Sequence, residues 1–352
     1  MTAETSAPPT EASVITSTAN GVGRIELNRP KLINALGLDM VGAIDDALTN
    51  WRDDDSINAV LVTGRGERGL CAGGDIKAVY NDIVAGSDEN TRFWNREYKM
   101  NHAISEYPKP YVVIMNGITM GGGVGISGHA SHRIVTDSTK VGMPETGIGL
   151  FPDVGGTHLL AHAPGELGTH LALTGLPVGP GGALAMGLAD YFVPDADVPQ
   201  LIADIETGED IETVIDRYRA EAPANELAEA EAWINECYQG DHVEDIVAAL
   251  SAHANPDANA AAQLIGTKAP TSVKVTLAAV RNAATMTLAE VLEQDYRTAV
   301  AMTERPDLKE GIRAQVIDKD RNPQWSPASF DEVSDETVQA ILTTAKTDKV
   351  FS

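Results

Sequence analysis

The chain has few cysteines, few aromatic residues and little positive charge. Cys71 and Cys237 are the two cysteines in 352 residues. That is too few for a disulfide framework, and free thiols in a cytoplasmic setting are the expectation. Cys71 lies beside a glycine turn without a thiolate-activating pattern, so it reads as a small buried apolar residue. No zinc-type spacing of Cys or His occurs, and no metal is expected. Lys and Arg number 26 against 51 Asp and Glu, a formal net charge of -25. Such an excess argues against binding nucleic acid or anionic membranes. No run of about 18 apolar residues occurs, so no membrane-spanning helix is expected. Residues 1–12 are rich in Thr, Ala, Pro and Glu and lack a basic or an apolar segment. They read as a disordered tail, not a secretory signal. Phosphate-binding Gly-x-Gly-x-x-Gly and Walker spacings are missing from the glycine turns, and no Gly-x-Ser-x-Gly elbow accompanies the scattered histidines.

What remains is a soluble-type composition, 43% hydrophobic and 22% charged, arranged in β/α order. Val14-Ile15-Thr16 and Arg24-Ile25-Glu26-Leu27 flank Asn20-Gly21, which predicts a hairpin. Residues 36–51 carry helical spacing, and 59–63 form a short apolar run suited to a buried strand. A helix is predicted around 92–106, and strands at 110–116 and 132–136. After Val193-Pro194 the character changes to helical periodicity with much Ala and acid. Helices are predicted at 227–237, 244–253, 272–284 and 288–302, with Ser272 and Thr287 as N-caps. The division is a β/α core over 13–197 and a helical region over 198–352. Between Asp195 and Asp245 sixteen Asp or Glu face two basic residues, Arg217 and Arg219, a pattern that reads as a solvated helical surface.

Three segments carry candidate chemistry. Ala72-Gly73-Gly74-Asp75 and Met120-Gly121-Gly122-Gly123 each follow a strand and precede a helix. Such turns aim backbone N–H groups outward, where a helix dipole helps to hold negative charge. Each turn taken alone is also explained by glycine sterics. The third segment is 143–156, with Glu145 and Asp153 in an otherwise glycine-, proline- and apolar-rich stretch. A carboxyl among apolar neighbours titrates high and serves as acid or base near neutrality. The plainer readings are a surface loop acid for Glu145 and an N-cap for Asp153. Two amide-bearing turns with a carboxylate are the parts that stabilise a carbonyl oxyanion and attack beside it.

These motifs together resemble the crotonase (enoyl-CoA hydratase/isomerase) superfamily. The marks are Leu27-Asn28-Arg29-Pro30, Asn34-Ala35-Leu36, Cys71-Ala72-Gly73-Gly74-Asp75-Ile76, Met120-Gly121-Gly122-Gly123 and Pro144-Glu145. The resemblance implies a ββα spiral core followed by a mostly helical C-terminal region, an α/β fold. It also implies acyl-CoA thioester substrates, with no cofactor. By it, the amides of Gly74 and Gly122 form the oxyanion hole, and Glu145 is catalytic. Ala72, Gly73, Asp75 and Gly121 lie along the substrate, and Arg29, Lys31 and Lys77 are candidates for the CoA phosphates or plain surface charges.

Hydratases carry a second glutamate two residues after the glycine run, and Gly125 stands there in this chain. Adding water to a double bond uses one group to activate water and one to deliver a proton. Asp153 stands instead where hydratases usually have glycine. The pair Glu145 and Asp153, with Gly123-Val124-Gly125-Ile126-Ser127, resembles the 3-hydroxyisobutyryl-CoA hydrolase branch. So does the C-terminal run Arg305-Pro306-Asp307, Glu310-Gly311-Ile312-Arg313-Ala314 and Pro323-Gln324-Trp325. By this resemblance the reaction is thioester hydrolysis in valine breakdown. Glu145 is nucleophile or general base, and Asp153 orients the substrate hydroxyl or manages protons. A hydratase or isomerase of the same superfamily and a non-catalytic acyl-CoA-binding protein are the alternatives. The superfamily favours trimers and hexamers.

Overall fold

The computed structural model describes residues 12–344 and 349–351. The expected tail therefore lies outside the described residues, apart from Ala12.

Asn20 and Gly21 take φ of 49° and 82°. Two such residues match the twist of antiparallel strands, and they join β1 (Val14–Ala19) to β2 (Val22–Leu27). The rest of the main sheet is parallel. β3 (Ala59–Gly64), β4 (Tyr111–Met115), β6 (His132–Val135) and β8 (Tyr191–Phe192) extend it in the order β1-β2-β3-β4-β6-β8. Two shorter strands, β5 (Ile118–Met120) and β7 (Lys140–Gly142), pair separately. Parallel neighbours need crossovers. Helix α1 (Leu38–Arg52) links β2 to β3, while α2 (Ile76–Ala85) and α3 (Glu89–Ser105) link β3 to β4. Short helices α4 (Gly122–Ser127) and α5 (Gly156–Ala161) follow the second glycine turn and the Glu145 segment. Among the described residues, eleven further α-helices lie between Leu167 and Leu342.

The sheet has a core on each face. One face buries Ile25, Val60, Val62 and Val113 against Met40 and Ile44 of α1 and Tyr98 of α3. That cluster continues without a break through Val273, Val280 and Leu292 to Val350, so the helical region shares its core with the strands. The other face buries Leu61, Val112 and Ile134 against Leu201, Ile205, Val214 and Ile215. Those last four come from the helices Val198–Ile205 and Ile211–Tyr218. The acidic stretch thus roofs the sheet with its apolar stripes while Glu209, Glu212 and Asp216 face water.

Some local expectations are corrected. Ser272 is buried inside the helix Pro270–Ala283, whose start is set by Pro270 at the first helical position and Ala269 before it. Thr287 does cap, in a reciprocal box with Glu290. Asp153 caps nothing: α5 starts after Gly155, with no side-chain cap. The helix expected from 227 begins at Glu231. Upstream, Asn225 Oδ1 holds Leu227 N–H in a turn, and Glu226 reaches away to accept from the amides of Gly179 and Gly182. Among the described residues no helix is long and apolar enough to cross a membrane, and no group of three His, Cys, Asp or Glu is placed to hold a metal ion.

Candidate active site

Backbone bonds stitch the two glycine turns together. Cys71 N–H donates to Ile118 O at 3.1 Å, and Met120 N–H donates to Cys71 O at 3.0 Å. Leu36 N–H donates to Gly73 O, and Asp75 N–H to Leu36 O, both at 2.8 Å. The first turn is thereby clamped between the loop before α1 and β5. A Cβ built on Gly122 would stand 3.4 Å from Gly74 N, so the turns face each other at van der Waals range. Among the described residues neither Gly74 N–H nor Gly122 N–H has an acceptor; Gly122 opens α4, where amides lack intrahelical partners.

Both turns line a cavity of about 170 Å³ together with Ala72, Gly73, Glu145, Asp153 and Glu97. Phe93, Trp94, Ile148 and Leu308 supply much of its apolar wall. Glu145 begins a 3-10 turn, Glu145–Ile148. That turn rests on the helix Pro306–Ile312. Cβ atoms built on Gly149 and Gly311 would lie 2.3 Å and 2.4 Å from backbone atoms of Asp307 and Ile148. The C-terminal Arg305-to-Ile312 motif is therefore the floor under Glu145. Gly121 fits the opposite side. Its φ is +51°, and a Cβ there would stand 2.6 Å from Glu145 Oε1.

Three carboxyls share this pocket. Glu145, Asp153 and Glu97 are 7%, 6% and 2% exposed. Burial drives Glu145 well above the ordinary carboxylate range, and the charge of Asp153 adds to the rise. Glu97 is also driven well above it, by burial first and then by Asp153 and Glu145. Asp153 is pushed up to about 6 by burial, against hydrogen bonds from Tyr98 and its own backbone. Burial of carboxyls in one pocket favours their protonated forms, so the set is suited to giving or taking protons. Cys71 is fully buried, and its thiol is pushed up to about 12 by desolvation. That leaves it without nucleophilic character.

The remaining expected contacts are dispersed. Arg29 Nη2 meets Asp75 Oδ2 at 2.9 Å and Arg29 Nη1 donates to Ala35 O at 2.8 Å. This pair lines an adjoining cleft of about 410 Å³, not the carboxyl cavity. Asp75 also caps α2 through Ala78 N–H. Lys31 and Lys77 are exposed and line neither space.

The enoyl-CoA hydratase/isomerase family model matches residues 22–342. The chain belongs to the enoyl-CoA hydratase/isomerase family. Proteins named 3-hydroxyisobutyryl-CoA hydrolase, mitochondrial, are similar over most of its length. The one from Gallus gallus is 38% identical, covering 93% of this chain and 88% of the relative. The Homo sapiens protein is 37% identical, covering 89% and 84%. Two solved structures share fold and sequence. A carnitinyl-CoA dehydratase from Mycobacterium thermoresistibile gives a TM-score of 0.92 at 47% identity, covering 95% of this chain and 97% of that one. An enoyl-CoA hydratase from Rhodobacter sphaeroides 2.4.1 gives 0.89 at 40%, covering 94% and 97%.

Within this family member, sequence reasoning missed Glu97, Tyr98 and Asp295. A signal for Glu97 existed. Phe93, Trp94, Tyr98, Met100, Asn101 and Ile104 form the buried stripe of α3, and Glu97 sits in the middle of it. A carboxylate in an apolar stripe is out of place unless a site needs it.

Proposed function

We propose that the chain hydrolyses an acyl-CoA thioester, with 3-hydroxyisobutyryl-CoA as substrate and 3-hydroxyisobutyrate and CoA as products. The observation that carries this is the meeting of Glu145 and Asp153 with the Gly74 and Gly122 amides in one cavity, while position 125 is closed. A Cβ on Gly125 would stand 2.8 Å from Val154 Cβ and 3.0 Å from Asn101 Nδ2, so a hydratase-type glutamate does not fit there. The curated relatives named for this hydrolysis support the same reading. In it, the two amides receive the thioester oxygen as it gains charge. The carbonyl carbon gains an oxygen from Glu145 or from water that Glu145 deprotonates. The C–S bond breaks, and the sulfur leaves with a proton as CoA thiol. Attack through Glu145 is completed when water hydrolyses the anhydride. Asp153 orients the substrate hydroxyl. Mutation of Glu145 to Gln is expected to cut turnover by ~10²–10⁴-fold while CoA-ester binding persists. Turnover near wild type removes Glu145 from the chemistry.

One observation favours a second reading, hydration or dehydration across a double bond. Glu97 brings another carboxyl to Glu145, and the two solved structures above are named as a dehydratase and a hydratase. Thiol release from 3-hydroxyisobutyryl-CoA, run beside crotonyl-CoA hydration on one preparation, separates the two. Rapid free CoA with little hydration supports the hydrolase; hydration without CoA release overturns it. A trimer or hexamer and a place in valine breakdown belong to the proposal through family resemblance. Two buried free thiols fit a reducing, cytoplasmic setting, whereas the animal relatives are named mitochondrial.

A further inference from the structure

Tyr98 is fully buried in α3, and its hydroxyl donates to Asp153 Oδ2 at 2.6 Å. Burial, then the charges of Asp153, Asp295 and Glu97, hold the phenol well above its ordinary titration range. It therefore stays a donor, and the oxygen it faces is an acceptor. Other titratable groups surround Asp153: Glu97 on α3, Glu145 on its 3-10 turn and Asp295 on the helix Leu288–Thr303. His129 Nε2 bonds Val154 O at 2.8 Å, and burial lowers that imidazole to about 4, which leaves it neutral at physiological pH. Burial opposes ionisation of Asp153, and Tyr98 is the side chain that favours it. The backbone is held too. Val154 takes φ of 53°, a costly conformation for a β-branched residue, between the His129 contact and a 2.8 Å bond from Gly155 N–H to Asp295 Oδ2. A carboxylate has two oxygens, and the helix takes one.

We infer that Tyr98 is a positioning residue for hydroxyacyl recognition: it fixes Asp153 through Oδ2 and leaves the other oxygen to accept the hydroxyl of a 3-hydroxyacyl group. This rests on the thioesterase reading above. Tyr98→Phe keeps the ring in its slot and removes only the donor. In this variant kcat/KM for 3-hydroxyisobutyryl-CoA is expected to fall ~10-fold or more, while isobutyryl-CoA, which lacks the hydroxyl, changes less than about twofold. The acid limb of the pH profile moves to higher pH. Site-specific 3-fluorotyrosine at 98, with a more acidic phenol, moves it the other way. In an Asp153→Asn background Tyr98→Phe adds nothing further, because the two act through each other. Equal losses on both esters with unmoved limbs overturn the inference and leave Tyr98 a packing residue. A carbon-13 NMR titration of Asp153 needs no turnover. If it moves up in Tyr98→Phe but wild type releases no CoA, the thioesterase reading fails and the Tyr98–Asp153 coupling stands. An unmoved titration sinks the coupling whatever the activity.

Discussion

Gly125 and Val154 approach so closely that a methyl on the glycine would stand 2.8 Å from the valine Cβ. The valine belongs to the strained loop that follows Asp153, so the turn that presents one carboxylate blocks the position of another. Gly125→Glu is therefore not a route to hydratase chemistry. The variant is expected to gain no crotonyl-CoA hydration. Overpacking of this kind costs ~1–3 kcal/mol or more, and the loss reads out as a lower Tm. Hydration activity in a stably folded Gly125→Glu protein would show that Val154 and Asn101 yield.

Gly121 makes the opposite case, a close approach to a flexible group. Its missing Cβ leaves room for Glu145 Oε1 at 2.6 Å, and its φ of +51° suits glycine. Gly121→Ala moves the carboxylate and strains one residue, a cost of ~1–3 kcal/mol. Misplacing a reacting group by an ångström is worth up to ~10²-fold in rate. The expected outcome is a folded enzyme with kcat reduced by about that factor and CoA-ester binding retained. Unchanged kcat would place Glu145 away from the reacting carbon.

The parts legible in the sequence are those with local causes. Asn20-Gly21 makes its hairpin, and Thr287 caps its helix. What escaped depends on contacts between distant segments. Tyr98 meets Asp153 55 residues away, and Gly155 meets Asp295 140 residues away. No spacing rule joins such pairs, because the register of α3 and of the Leu288–Thr303 helix against the cavity is set by core packing. Arg29 shows the converse: a cation near the expected site is already spent on Asp75.

Asp153 has a stability signature. Its carboxyl titrates near 3.8 unperturbed and is pushed up to about 6 in the fold. The folded protein thus holds this proton more tightly than the unfolded chain. The resulting stability is complete below pH 3.8 and is lost as pH rises through about 6. Asp153→Asn removes this proton linkage yet keeps an acceptor for Tyr98. At pH 8 the variant is expected to be more stable than wild type by ~1–3 kcal/mol, with the gap closing near pH 4. Denaturant melts at the two pH values measure this. A gap that widens on acidification would reverse the assigned sign.

Asp295 separates charge from shape behind the same loop. It is fully buried, and burial drives its carboxyl well above the ordinary range. What the loop takes from it is an acceptor for Gly155 N–H. Asparagine supplies that acceptor without a titrating group, and leucine supplies nothing. Asp295→Asn is expected to keep kcat near wild type and to hold its stability further into alkaline pH, since no buried charge can form. Asp295→Leu leaves Gly155 N–H unpaired, a penalty of ~1–3 kcal/mol, and frees the strained Val154 to relax. Its kcat is expected to fall with that relaxation. Equal losses in both variants would mean that the negative charge of Asp295, not its acceptor oxygen, is what the Asp153 loop requires.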